Sequence, residues 1–396
     1  MNAESLDDEA GEIGKKHQIG HLRVDTQGNT TYKGLPTNQL AEALQLGIQY
    51  SVDGLEGKPV RDVCYQDFLT VDITDFPKYG RTTPKLIPPH RFNDFTICSY
   101  APVAFRHFRE KFDIRPEDYL SIICKPFHEL KNFGASGSLY YLTACDEFII
   151  KTIQNDEAAF LKSLLPGYYM NVTQNRHTLL PKYLGLYCYR DENKNIHITV
   201  MNNLIPCRIP IHEKYDLKGL THKRRANNEE KRKKSSTWKD LDFMEHHPNG
   251  LTLDSKTYSA LAKTVQRDCQ VLQSFHIMNY SFLIGVHYPN RAPDSPRNIS
   301  VAGVASNHIS TARLSRTMYT TPMDNNQIEF EEHKPEDDRV AKTGGIPALT
   351  ADGESVYLYV GIINILQSYQ LKEKVKHIIK SIVTDEVYEI NSFLKF

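Results

Sequence analysis

At 396 residues the chain has room for two or three layers of core, most simply one large domain of two lobes rather than several independent modules. Forty per cent apolar and 24% charged is a soluble globular composition, and 48 basic residues cancel 48 acidic ones, so bulk charge gives no reason to expect nucleic acid as a partner and leaves any attraction to a membrane to a local patch. Seven scattered cysteines without a Cys-x-x-Cys pair argue against a disulfide framework and a zinc site, and read as buried thiols in a reducing compartment. Met1 to Lys16 holds no apolar run of the kind a signal peptide needs, and no stretch is long enough to span a membrane. A cytoplasmic setting follows, in which the glycosylation pattern Asn29-Thr30-Thr31 carries little weight.

In chain order, residues 1–15 are polar and aperiodic and read as a disordered tail. Leu40 to Tyr50 has helical spacing, Phe68-Leu69-Thr70-Val71 suits a strand, and Ala101 to Phe112 places Val103, Phe105, Phe108 and Phe112 on one helical face behind an early Pro102. Gly134-Ala135-Ser136-Gly137-Ser138 then precedes Leu139 to Leu142, a polar turn from Thr143 to Asp146, and Phe148-Ile149-Ile150-Lys151-Thr152-Ile153. This is a glycine-rich loop on a β-hairpin whose second strand carries a lysine. Asn155 or Asp156 is placed to cap the next helix, Phe160 to Leu165 supplies its apolar face, and Pro166-Gly167 stops it. Strands follow at Tyr183 to Tyr189 and at Ile196, Ile198 and Val200, and Met201 to Leu204 leads out as a hinge.

That hinge divides a first lobe, residues 16–204, from a second, 205–396. The second contains a basic run from Lys223 to Lys239 and a long polar stretch, residues 288–345, expected to be a disordered insertion. Between them Tyr258, Leu261, Val265, Cys269 and Leu272 share a helical face. Phe282 to Val286 and Val356 to Val360 read as buried strands, and Asn364 stands just past the second.

Glycines let backbone N–H groups approach phosphate oxygens, although a Gly-x-x-Gly turn describes a plain tight hairpin as well. A strand lysine, Lys151, comes 14 residues after Gly137, in the order by which protein kinases bring a lysine to nucleotide phosphates. A lysine buried on such a strand needs a counter-charge. Tyr215-Asp216-Leu217-Lys218-Gly219 adds a second Asp and Lys beside a glycine, which in isolation fits a solvated turn equally well.

Taken with Leu164-Leu165-Pro166-Gly167-Tyr168-Tyr169, Met201-Asn202-Asn203, Gln266-Arg267-Asp268-Cys269 and Ile363-Asn364-Ile365-Leu366-Gln367-Ser368-Tyr369, these motifs resemble the phosphatidylinositol phosphate kinases, closest to the type I phosphatidylinositol 4-phosphate 5-kinases. The resemblance implies an α+β fold of two lobes, with antiparallel sheets, flanking helices and a distant kinship to protein kinases. It implies ATP-dependent phosphorylation of a phosphoinositide lipid at the 5-hydroxyl, with Mg²⁺, at the inner face of the plasma membrane. Carried over, Gly134, Ser136, Gly137 and Ser138 cover the phosphates, Lys151 neutralises them, and Asn203 lies in the adenine hinge. Lys218 and Arg224 face the lipid head-group phosphate, arginine by its bidentate fork. Family members often pair through the N-terminal lobe, so a homodimer or a heterodimer with a sister kinase is an expectation.

Two departures stand out. The family has Asp where this chain has Asn279, the position that accepts the proton of the attacking hydroxyl, and Asp where it has Asn364, the position that binds magnesium. An amide neither takes a proton near neutral pH nor brings negative charge to a metal. Ala159 stands where the family tends to carry a glutamate for the strand lysine, leaving Glu157 as a substitute. Leu220 replaces a serine, His276 a lysine, and residues 382–396 are shorter and more acidic than the family's activation segment. Impaired transfer is the leading expectation and a regulatory pseudokinase the rival. A further rival is an active enzyme that recruits Asp216 or Asp268 in place of the missing carboxylates.

Overall fold

The computed structural model describes residues 17–19, 21–24, 29–57, 61–83, 85–130, 137–175, 177–205, 209–232, 236–291, 345–366 and 394–395. The expected tail and residues 292–344 of the expected insertion lie outside them.

A four-stranded antiparallel sheet opens the chain, with β1 (His17–Ile19), β2 (Leu22–Val24), β3 (Thr30–Tyr32) and β4 (Leu35–Pro36) in that order. Strands of two or three residues leave no run in which alternation shows, so the sequence pattern predicts none of them. Helix α1 (Thr37–Glu56) extends the expected helix at both ends and buries Leu40, Leu44, Ile48 and Val52 along one side. Helix α2 (Tyr65–Leu69) occupies the first half of the expected strand at Phe68 to Val71. Asp67 decides this, since its Oδ2 accepts from Cys64 N at 2.8 Å and its two oxygens fork onto Arg61 at 2.6 and 2.7 Å, fixing a helical first turn. The strand starts only at β5 (Val71–Phe76).

The chain continues through β6 (Phe95–Tyr100), α3 (Pro102–Lys111), α4 (Pro116–Ile123), β7 (His128–Glu129), β8 (Tyr140–Leu142), β9 (Phe148–Ile153), α5 (Asn155–Gln174), β10 (Tyr183–Arg190) and β11 (Asn195–Asn202). These strands form one antiparallel sheet in the order β5-β6-β10-β11-β9-β8-β7. Helix α5 departs from expectation twice. Its cap is Gln154, whose N–H donates to Glu157 Oε2 at 2.8 Å, and it runs through Pro166-Gly167 instead of ending there. An interior proline costs about 3 kcal/mol, whereas each of the buried Leu161, Leu164, Leu165 and Val172 contributes ~1.5–3 kcal/mol on that face, so burial wins. Gly167 serves close approach, because a Cβ there would sit 2.5 Å from Phe275 Cε1.

Beyond α5's sheet come β12 (Glu213–Leu217), α6 (Asn228–Lys231), α7 (Asp240–His246), β13 (Leu251–Thr252), α8 (Ser255–Ser274), β14 (Ser281–His287), β15 (Ile346–Leu349), β16 (Ser355–Ile363) and β17 (Leu394–Lys395). Their sheet has the order β12-β14-β16-β15-β13-β17 and is antiparallel except between β13 and β17. Asp254 caps α8 by accepting from Lys256 N and Thr257 N, and Leu261, Val265 and Leu272 are buried on the face the spacing predicted. Tyr288 belongs to the fold rather than to the expected insertion, being 2% exposed with its hydroxyl on Glu213 at 3.0 Å. The mixed α+β class with antiparallel sheets and helices is as expected, and no helix among the described residues is long and apolar enough to cross a membrane.

His197, on β11, lies 3.2 Å from Tyr100 Oη through Nε2 and 3.1 Å from Asn155 Oδ1 through Nδ1. Burial, then Lys162, Lys33 and Arg190, push its pKa down from 6.5 to about 4. A folded pKa below the unfolded one means that protons bind the unfolded chain first, so this group's stability is present above pH 6.5 and is lost as pH falls toward 4. The prediction is that denaturant midpoints decline across that interval and that His197→Gln makes the decline shallower.

Candidate functional site

Strand register gathers the second-half candidates at one end of a sheet. β14 pairs with β16 so that Ser281 faces Ile363, which sets Asn279 two residues before one strand and Asn364 immediately after its neighbour. β12 pairs with β14 through Leu217 and Phe282, and Lys218 follows directly. Asn279 and Asn364 both take left-handed backbone conformations, φ +59° and +64°, which Asn tolerates better than most side chains. Both are exposed, and neither amide has a hydrogen bond among the described residues. The Ser281 hydroxyl beside them is buried without a partner among the described residues.

Lys218 Nζ donates to the Asn279 carbonyl at 2.9 Å, tying the lysine to the loop that carries the first asparagine. Burial pushes its ammonium pKa down, and Asp216 opposes that shift. The Lys218-Gly219-Leu220 backbone wraps around one carboxylate, Asp240, whose Oδ1 accepts N–H bonds at 2.9, 2.8 and 3.4 Å, with Gly219 at φ +67° permitting the turn. Asp240 Oδ2 accepts from Arg224 Nε at 2.6 Å. Arg224 NH2 donates to Asp216 Oδ1 at 2.7 Å and also to the Asp216 carbonyl.

The expected bidentate fork of Arg224 is therefore already committed to two carboxylates, and only NH1 lacks a partner among the described residues. Asp216 is committed in turn to Arg224. Asp268, the other recruit considered for a missing carboxylate, is fully buried, and burial raises its pKa. It accepts from Thr178 Oγ1 at 2.9 Å and Leu179 N at 2.6 Å, while Leu179 O accepts from Ile362 N at 2.8 Å, two residues before Asn364. Its carboxylate thus clips the strand end from behind.

In the seven-stranded sheet, Lys151 is 9% exposed and lies 3.9 Å from Glu157 Oε1. Glu157 is accordingly the lysine's counter-charge, while Ala159 points to solvent. Gly137 has φ +63° and Ser138 is buried; Gly134 and Ser136 lie outside the described residues. Asn203 is buried, its N–H on Glu147 O at 2.9 Å and its Nδ2 on Asp146 O at 3.0 Å. Its side chain clasps the β8–β9 turn to the exit of β11. Leu204 follows, close enough to Gly361 that a Cβ there would sit 2.7 Å from Leu204 Cδ1.

Lys151 with Glu157 fits the anionic part of a nucleotide. The fit to magnesium is poor, because Asn364 brings no charge, Asp216 is held by Arg224, and no cluster of three metal-ligating side chains exists among the described residues. Sequence reasoning missed Asp240. An acid in a helix's first turn looks like ordinary dipole compensation, and the loop it organises lies 20 residues or more away in the chain.

A model of the family described as Phosphatidylinositol-4-phosphate 5-Kinase matches residues 123–392. Phosphatidylinositol 4-phosphate 5-kinase type-1 alpha of Rattus norvegicus is 49% identical over 379 residues, which cover 93% of this chain and 66% of that protein. The type-1 beta protein of Homo sapiens is 46% identical over 365 residues, 90% of this chain and 65% of its own length. The type-1 sktl protein of Drosophila melanogaster is 41% identical over 421 residues, with 93% and 53% covered. The chain therefore spans between 53% and 66% of the length of these relatives.

Proposed function

The chain belongs to the phosphatidylinositol-4-phosphate 5-kinase family, and we propose that it binds ATP and transfers the γ-phosphoryl group to the 5-hydroxyl of phosphatidylinositol 4-phosphate at a rate strongly limited by two asparagines. The observation that carries this reading is that Asn279 and Asn364 stand at the ends of adjacent strands with amides unpaired among the described residues, at the motif positions where the resemblance gives the family carboxylates. In it the seven-stranded sheet belongs to an N-terminal lobe of residues 16–204, the six-stranded sheet to a C-terminal lobe of 205–396, and Asn203 closes the joint as a clasp.

Within that reading Lys151 offsets phosphate charge, with Glu157 fixing its direction. Gly137 and Ser138, with Gly134 and Ser136, line the phosphates. Lys218 and the open NH1 group of Arg224 face the head-group phosphate, and Asp216 holds the arginine in place. Asn279 orients the hydroxyl by a hydrogen bond but does not remove its proton. Magnesium, when bound with nucleotide, supplies charge neutralisation in this family of reactions; here the side chains present support its binding weakly. The lipid sets the location, peripheral on the inner face of the plasma membrane.

The expected result is that ATP raises the thermal unfolding midpoint, that Lys151→Met abolishes the rise, and that replacing magnesium with EDTA changes it little. A rise that depends wholly on magnesium contradicts the poor metal fit. No rise at millimolar ATP leaves only a scaffold role. A rise without lipid turnover selects a regulatory pseudokinase.

A further inference from the structure

A second cationic cluster sits on the face of the seven-stranded sheet against which α5 packs. Register aligns Cys98, Cys188 and His197 across β6, β10 and β11, and sets Arg190 opposite Asn195 on the same face. Lys33 enters from the β3–β4 turn, and its Nζ donates to Asn195 O at 2.9 Å. Lys162 enters from α5, its Nζ 4.8 Å from the Tyr100 ring centroid, and Tyr100 in turn meets His197. Three separate segments thus bring three cations around an imidazole on a fourth.

Lys33, Lys162 and Arg190 are each half-buried, and none forms an ion pair among the described residues. Burial lowers the pKa of Lys33, the mark of a charge taken partly out of water. Arg190 Nε is buried with no hydrogen-bond partner among the described residues. A buried guanidinium N–H without an acceptor is costly, and three like charges around one spot repel at low local dielectric. A dianion relieves both at once, and an Arg beside two Lys is a donor set that suits phosphate. No residue assigned to transfer takes part.

We propose that Lys33, Lys162 and Arg190 form a binding site for a phosphate group on the face of the seven-stranded sheet that α5 flanks, built from residues other than those assigned to the nucleotide and head-group positions. The same chemistry has two sources, a small soluble phosphate or a lipid head group. Val71 and Ile73, 40% and 62% exposed, pair with Tyr100 and Cys98 and give the site an apolar margin, which a lipid surface would cover.

The test uses the full chain carrying Lys151→Met, so that the nucleotide site does not contribute, whatever the fate of the proposed transfer activity. Calorimetric titration with inorganic phosphate and with pyrophosphate is one arm; co-sedimentation with phosphatidylcholine–phosphatidylserine vesicles, against phosphatidylcholine alone, is the other. Arg190→Gln is expected to weaken binding at least about 10-fold, as is Lys33→Gln with Lys162→Gln, whose long flexible side chains are removable if the arginine variant fails to fold. Each titration is repeated in a Lys218→Gln background, so that phosphate held at the head-group position is told apart from phosphate held at this site. Binding of soluble phosphate that these variants lose assigns a soluble ligand. Vesicle binding alone, lost in the same variants, assigns a lipid head group. No binding in either arm at millimolar phosphate, or binding that the variants leave intact, overturns the site.

Discussion

Asn279→Asp combined with Asn364→Asp is expected to raise ATP-dependent formation of the bisphosphorylated lipid by at least about 10²-fold, because a positioned general base alone is typically worth ~10²–10⁴ in rate. Both side chains are exposed and unpaired among the described residues, so the added charges are not buried. Both backbones are left-handed, a conformation in which Asp is nearly as acceptable as Asn, so the fold is expected to be kept. The Lys218 bond to residue 279 uses the main-chain carbonyl and survives the exchange. Lys218 Nζ also brings a positive charge to that loop, which favours the ionised form of the carboxylate introduced there.

Each single variant is expected to gain far less than the pair. A base without a charged metal site, or the reverse, supplies only part of a unit whose effects do not add. The measurement is radiolabelled phosphate transfer to phosphatidylinositol 4-phosphate vesicles, with the unfolding midpoint as a check on folding. A gain below tenfold in the folded double variant would move the limitation elsewhere, first to Arg224, whose fork is held by Asp216 and Asp240. Wild-type turnover equal to that of the repaired protein would remove the impairment altogether.

What the sequence disclosed follows the reach of each signal. Helix α8 and the strands of β9, β10, β14 and β16 carry long apolar periods, and those periods placed Lys151 on a buried strand and Asn364 at a strand end. Short strands such as β4, and α2 with its Asp67 clamp on Arg61, depend on contacts that no periodicity records. Helix α5 shows a tertiary override: its proline and glycine punctuate the sequence, yet buried leucines and the approach to Phe275 carry the helix through. At the site, residue types were legible but partnerships were not. Arg224 read as a free fork and Asp268 as a spare carboxylate, and both are spoken for by partners 8 to 90 residues away. Nothing local distinguishes a carboxylate that does chemistry from one that holds a loop.

Asp240→Ala is expected to be the most damaging single substitution at the site to stability, costing about 3–5 kcal/mol, the usual loss when one partner of a buried charge pair is removed. Asp240 is 0% exposed and accepts four hydrogen bonds, three from consecutive backbone N–H groups and one from Arg224. Its removal strands the buried Gly219 N–H and leaves a guanidinium, 15% exposed, with Asp216 alone. Asp216→Ala is expected to cost less, because that side chain is 23% exposed and Arg224 keeps Asp240. Denaturant unfolding of the two variants reads the difference.

The double-mutant cycle of Asp240→Ala with Arg224→Ala decides whether the pair acts as a unit: a coupling of ~1 kcal/mol or more is expected for a buried, hydrogen-bonded charge pair. Near-zero coupling, with a single-variant loss below about 1 kcal/mol, would mean that water replaces Asp240 in the loop. In that case the Lys218-Gly219-Leu220 turn holds itself, and Arg224 is free to offer its fork to a phosphate after all. The stability of one buried aspartate thus fixes how many N–H groups the arginine has left for a lipid.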